Sequence, residues 1–121
     1  MQENYRVPVT EHDRIRAELA AQLVAASAGV AAARILSPGR DPRERRARWM
    51  AIYLCYVSLG WSIERTAHAF GVNRTSAANA CRWAEDERDR PAFDAALERV
   101  ESLFRDSLQP LPAGWLTGAA A

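Results

Sequence analysis

Arg74, Thr75, Asn79 and Arg82 carry side chains able to read the edges of DNA base pairs, and their spacing brings them together. At 100° per residue Thr75, Asn79 and Arg82 fall on one side of a helix, with Arg74 beside them in its first turn. Arg can donate two hydrogen bonds to a guanine and Asn can pair with an adenine in the major groove, while Thr can bond a base or phosphate or touch a thymine methyl. The other side of the same segment holds Ala77, Ala80, Cys81 and Ala84, all small enough for a second helix to pack closely. The competing reading of such a segment is an ordinary solvated helix in an α-helical bundle.

What precedes this helix is therefore informative. Residues 62 to 87 read as two short helices hinged at Phe70-Gly71-Val72, a helix-turn-helix. The first starts at Ser62, whose hydroxyl can cap free N–H groups, and turns Ile63, Ala67 and Phe70 inward. Gly71 permits the left-handed conformation that ends it. The second starts near Asn73.

The rest of the chain is expected to be helices around this unit, which makes the fold class all-α, a multi-helix bundle containing a helix-turn-helix. Thr10 with Asp13 forms a start resembling a capping box, and Ile15, Leu19, Leu23 and Ala26 repeat at helical spacing until Gly29. A short helix over residues 30–36 stops at Ser37-Pro38-Gly39. The next is capped by Asp41 with Pro42 in its first turn, carries Ala47, Met50, Ala51, Leu54 and Val57 on one side, and ends at Leu59-Gly60. Trp61 is placed to pack back over that end. The last helix begins at Pro91 and turns Phe93, Leu97, Val100, Phe104 and Leu108 inward, a stripe that reads as a core brace. Residues 1–9 read as an N-terminal tail, 10–108 as the helical domain and 109–121 as a flexible C-terminal tail.

Charge separates along the chain although the net is only +1. Arg34, Arg40, Arg43, Arg45, Arg46 and Arg48 stand against Asp41 and Glu44 just upstream of the helix-turn-helix, where they can serve phosphates. Acids dominate after it, between Glu85 and Asp106, where they would repel phosphate.

Composition excludes several classes. Lys is absent, which removes a phosphate-binding loop of the GxxxxGK[ST] type and Schiff-base chemistry. His12 and His68 are the only histidines and neither has a motif neighbour, while the consecutive acids Glu85, Asp86 and Glu87 point in different directions on a helix. No catalytic residue, metal site or cofactor is expected, and the protein is not read as an enzyme. Cys55 and Cys81 fall on inward positions without a CxxC pattern and read as reduced core residues. No apolar run approaches the ~18 residues of a membrane span. No signal peptide pattern opens the chain, so the expected setting is cytoplasmic, on the nucleoid.

Half of the chain, from Arg45 to about Phe104, resembles a known family. The sequences RARWMAIYL at Arg46 to Leu54, AFG at Ala69 to Gly71, RTSAANACR at Arg74 to Arg82 and EDERDRPAFDAALERVE at Glu85 to Glu101 carry the resemblance. They are similar to the C-terminal duplex-DNA-binding domain of the bacterial replication initiator DnaA, and more closely to DnaA-related helix-turn-helix proteins of alphaproteobacteria. The resemblance implies that the helix over 73–87 enters the major groove and that Asn73, Arg74 and Thr75 contact bases, with Asn79 added from its position on the outward face. It implies that Arg48 reaches towards the minor groove, that the basic stretch with Arg40, Arg43, Arg45 and Arg46 touches the backbone, and that the helix start at Ser62 offers N–H groups to phosphate. Ser76 and Arg82 complete the backbone set.

The departures bear on the target. Relatives usually have Arg-Asp where this chain has Val72-Asn73, and Thr-Thr-Val-x-His where it has Thr75-Ser76-Ala77-Ala78-Asn79. Asn73 can still cap, but it lacks the charge of an acid that would accept from cytosine. The fold is expected to carry over without the target sequence. The ATPase module of DnaA is absent from the sequence, so origin melting by ATP-driven assembly is not expected.

A protein of this kind resembles a transcription regulator, in particular the activators of gene-transfer-agent clusters, which combine a DnaA-like part with a sigma-like part that addresses RNA polymerase. Only the first part is present here, so double-stranded DNA and a separate polymerase-facing partner are the expected partners, with no membrane and no small-molecule substrate. The alternatives are a helical adaptor without sequence-specific DNA binding and a replication regulator that binds DnaA boxes. Within the tail, Leu111, Trp115 and Leu116 form a candidate partner site if extended; the alternative is that Trp115 folds back on the domain.

Overall fold

A computed structural model describes residues 10–37 and 39–118; the 1–9 tail, Pro38 and the last three residues of the C-terminal tail lie outside them. The described residues form helices and no strand. In chain order these are α1 (Glu11–Ala28), α2 (Ala32–Leu36), α3 (Pro42–Leu59), α4 (Ile63–Phe70), α5 (Arg74–Glu87) and α6 (Pro91–Ser107).

Four helices start on a side-chain cap, each satisfying an N–H that the helix itself cannot. The side-chain oxygens of Thr10, Asp41, Ser62 and Asn73 accept from the backbone N–H groups of Asp13, Arg43, Arg65 and Ser76 at 3.0, 2.9, 3.0 and 2.7 Å. The other two have no side-chain cap: the short α2 follows Ala31, and α6 starts on Pro91, which removes one of the open N–H groups of its first turn. The elbow between α4 and α5 depends on Gly71, which has φ 70° and donates its N–H back to the end of α4. Any side chain at that position would be strained.

α3 is the centre of the bundle, in contact with all five other helices. Its consecutive residues Ile52, Tyr53, Leu54 and Cys55 are all buried, which requires neighbours on every side. Against it lies the stripe Ala77, Ala80, Cys81 and Ala84 of α5, so small side chains let the two helices approach closely. Trp61 is buried just after α3, as its position suggested, and Leu97, Val100 and Phe104 brace the core from α6. Val57 is instead exposed, beyond the reach of the neighbours of α3. Both cysteines are buried free thiols, and burial pushes the Cys81 thiol up to about 11.

α1 differs from the expectation. Its buried face is Asp13, Ala17, Ala20, Ala21, Val24 and Ala25, while Leu19 and Leu23 are half-buried, Ala26 is exposed and Ile15 is 52% exposed. The four alanines admit α3 at short range, and that gain in packing outweighs burial of the larger aliphatic row.

Asp13 does not close a capping box. Its carboxylate turns into the bundle, 1% exposed, and accepts from Arg65 Nε and Nη2 at 2.8 and 2.9 Å. Arg65 also lies over the Trp61 ring, 4.9 Å from its centroid. This forked pair ties α1 to the first turn of α4, the front half of the helix-turn-helix. The hydrogen bonds from Arg65 hold Asp13 below its ordinary value of 3.8, against burial, which pushes the other way. A carboxyl with a lowered folded-state pKa adds stability above its unfolded value and loses that contribution as pH falls through the folded value. Asp13→Asn is therefore expected to lower the urea midpoint at neutral pH, and its gap from wild type should shrink below about pH 4. A gap of equal size at pH 7 and in strong acid would remove Asp13 from the pH dependence.

A second polar cluster joins α3, α5 and α6. Tyr53 Oη donates to Glu85 Oε2 at 2.7 Å, and Arg88, the residue after α5, binds Asp94 at 2.8 Å, Tyr53 Oη at 3.3 Å and the buried Glu101 at 3.4 Å. These bonds raise the Arg88 pKa. The C-terminal end of α5 is thus fixed to both neighbours by directional contacts.

Candidate nucleic-acid interface

The first half of α5 presents Asn73, Arg74, Thr75 and Asn79 to solvent, with Arg82 a turn further on. Arg74 reaches only Glu64, at 4.0 Å, with both side chains well exposed. Such a contact is worth little in water and leaves the guanidinium available. Thr75 is free to present its hydroxyl and methyl. Asn79 and Arg82 form a unit, Arg82 Nη1 donating to Asn79 Oδ1 at 2.8 Å. Asn73 spends its oxygen on the Ser76 N–H, so its amide NH₂ group is what it has left to offer. Ser76 itself is half-buried, and Ser62 is exposed but engaged in capping α4.

The basic cluster is less uniform than its sequence suggests. Arg34 pairs with Glu44 at 3.3 Å, and Arg43 donates to the Ala28 carbonyl at 3.3 Å. Arg45 lies over Trp49, 5.7 Å from the ring centroid. Arg40 and Arg46 are exposed and have no hydrogen bond or ion pair among the described residues.

Arg48, which the resemblance directs towards the minor groove, is engaged within the protein. Its Nε donates to the Ile35 carbonyl at 2.7 Å, and its Nη2 contacts the carbonyls of Ser37 and, at 3.4 Å, Arg34. In this state it is a clasp that satisfies the open C-terminal carbonyls of α2 and hangs the loop with Arg40 from α3. An arm in a DNA groove would have to give up those three acceptors. Partial burial lowers its pKa, with the nearby Glu44 carboxylate acting in the opposite direction.

The structure also relates the basic cluster to α5. Trp49 and Trp83 are 5.5 Å apart between ring centroids, so the arginine-bearing start of α3 adjoins the second half of α5 rather than the Arg74 end. Acids are not kept apart from it. Glu87 lines the same groove as Arg43 and Arg46 and is paired to Arg90 at 3.2 Å, while Asp94 and Glu101 face Arg88. The acidic run is thus partly consumed by internal pairs, because a helix distributes neighbouring residues around its axis.

The C-terminal tail is not an extended strip. After Leu108 it folds into consecutive turns over residues 113–118, closed by Gly114 and Gly118 at φ 79° and 74°. Trp115 does not fold back on the domain, with 61% of its surface exposed, and Leu111 and Leu116 are exposed as well. Among the described residues there is no group of three or more His, Cys, Asp or Glu side chains able to hold a metal, and no helix long and apolar enough to cross a membrane.

The sequence reading missed Asp13, Arg65 and Arg88, which position the helix-turn-helix. Only the forked geometry identifies Asp13 and Arg65, since 52 positions separate them in the chain.

No protein-family model and no curated protein matches the chain. Among solved structures, the crystal structure of a DNA replication initiation factor, DnaA, is similar over 80% of this chain, with 28% identity and a TM-score of 0.71. The match spans 30% of that structure's own chain. The fold is that of a DnaA C-terminal domain, all helical, as the resemblance implied.

Proposed function

We propose that this chain is a sequence-specific duplex-DNA-binding regulator of transcription. The observation that carries the reading is the exposed, uncommitted Arg74-Thr75 start of α5 behind the Gly71 elbow, on a fold shared with a replication initiation factor. In this reading α5 enters the major groove, Arg74, Thr75 and Asn79 read bases with Asn73 beside them, and Arg40, Arg43, Arg45 and Arg46 serve the backbone. Ser62, Ser76 and Arg82 add backbone contacts, and Arg48, which holds the basic loop in the free protein, is the candidate for the minor groove. It is a binding function with no catalytic step and no cofactor.

The finer proposal is an activator that works on the nucleoid with a separate RNA-polymerase-facing protein, in the manner of gene-transfer-agent regulation. Exposed Leu111, Trp115 and Leu116 support a protein partner.

Chromatin immunoprecipitation of the tagged protein in its host tests the reading. Sharp peaks at a few promoters, and tight binding to those sequences in vitro, are the expected result. Log affinity should fall with log salt by about 0.9 per phosphate neutralised. Broad or absent enrichment, with no preference in vitro, would replace it by the adaptor reading.

A further inference from the structure

A groove of about 670 Å³ runs between the end of α1, the start of α3, the end of α5 and the start of α6. Val24 and Met50, both buried, form its floor, and the half-buried Trp83 and Phe93 stand edge to face with centroids 5.4 Å apart. Arg43 and Arg46 are exposed on its rim. Arg90, also at the rim, is neutralised by Glu87 at 3.2 Å, so the uncancelled charge is that of Arg43 and Arg46. Arg46 has no partner among the described residues and Arg43 has only a backbone carbonyl.

We infer that this groove binds an acidic amphipathic helix of a partner protein. Apolar side chains at i, i+3, i+4 and i+7 of such a helix would enter over Met50, Trp83 and Phe93, and flanking carboxylates would reach Arg43 and Arg46. Duplex DNA does not suit it. A phosphate backbone has nothing to place on an aromatic and aliphatic floor. The volume falls in the range of groove and pocket sites of about 300–1,000 Å³. Trp83 lies eight residues beyond Thr75, about 12 Å along α5, so a partner helix here leaves the base-reading end uncovered. The inference goes beyond the DNA-binding reading; Arg43 and Arg46 are shared with the backbone set of that reading, so a partner helix would compete with DNA for these two cations while the base-reading end stays free.

The test is a nuclear magnetic resonance titration of the full isotope-labelled chain with a synthetic amphipathic peptide. The peptide has about four helical turns, with Leu and Phe on one face and Glu flanking them. A control peptide replaces each Glu by Lys. Saturable shifts at the Trp83 indole N–H, the Met50 methyl and the Phe93 ring are expected, with at least about tenfold weaker binding of the Lys peptide. Ala92→Glu, at an exposed groove position in the first turn of α6, should weaken the Glu peptide about tenfold with the circular dichroism spectrum unchanged. The ratio of its affinities for preferred and random duplexes should stay within about twofold of wild type, which separates this site from the base-reading residues. Arg46→Glu provides the same test of the peptide from the other rim.

Absence of saturable shifts, equal binding of the two peptides, or shifts confined to the Arg74–Asn79 turn would overturn the inference. Groove signals that move together with those of Trp115 as the protein alone is diluted would also overturn it, identifying the tail of a second copy as occupant.

Discussion

Arg88→Ala should lower the stability of the domain by about 3 kcal/mol, on the order of 10 °C in the melting temperature, without touching the exposed Arg74–Asn79 side of α5. The loss exceeds that of an ordinary surface ion pair because Glu101 is buried and would be left charged without its partner. Tyr53 and Asp94 would lose a donor at the same time. Arg88 itself keeps about a quarter of its side chain in water, which sets the effect at the low end of the range for broken buried pairs. Calorimetry or urea denaturation of the single variant measures it. A double variant, Arg88→Ala with Glu101→Gln, should recover part of the loss, since the stranded charge is then removed. No recovery would mean that Arg88 acts through packing of its stem rather than through the cluster.

Arg74→Ala should cost about 1–3 kcal/mol of affinity for the preferred duplex, or roughly 5- to 150-fold, with much less effect on random sequence. The exposed side chain has only a weak contact with Glu64 in the free protein, so little is lost from the fold. The variant should also relax preference at one base pair in a selection from random duplexes. Arg40→Ala is the contrast. As an exposed cation on the loop before α3, it should weaken every sequence alike and reduce the salt slope by about 0.9. Equal losses on specific and random DNA for Arg74→Ala would remove it from the base-reading set.

Residues 62–87 could be read from sequence because their determinants are local. The Ser62 and Asn73 caps and the Gly71 elbow act within three or four residues, and the small-residue stripe of α5 lies within one helix. The same holds for Asp41-Pro42 and Pro91 as helix starts. The buried face of α1 was not legible, since Ile15 and Leu19 give the same helical period as Ala17, Ala20, Ala21 and Val24, and only the position of α3 chooses between them. Asp13–Arg65 and Tyr53–Arg88–Glu101 were hidden because they pair residues brought together by tertiary packing. Arg48 is the instructive case. Its place in a basic run suggested a contact with DNA, whereas the carbonyls left open at the end of α2 engage it first. The all-α fold was nevertheless accessible from sequence through the DnaA resemblance, which the structural match supports.

The central position of α3 has a consequence for how the domain opens. With every other helix leaning on it, no segment carrying α5 can detach without wetting Ile52, Tyr53, Leu54 and Cys55. Local unfolding free energies should therefore converge on the global value across α3 and α5, with the amides of residues 52–55 among the slowest to exchange with deuterium. Under the proposed function, recognition by such a unit would be rigid-body docking: a ligand would select an orientation already set by the core, with little of the ordering entropy that folding upon binding would impose.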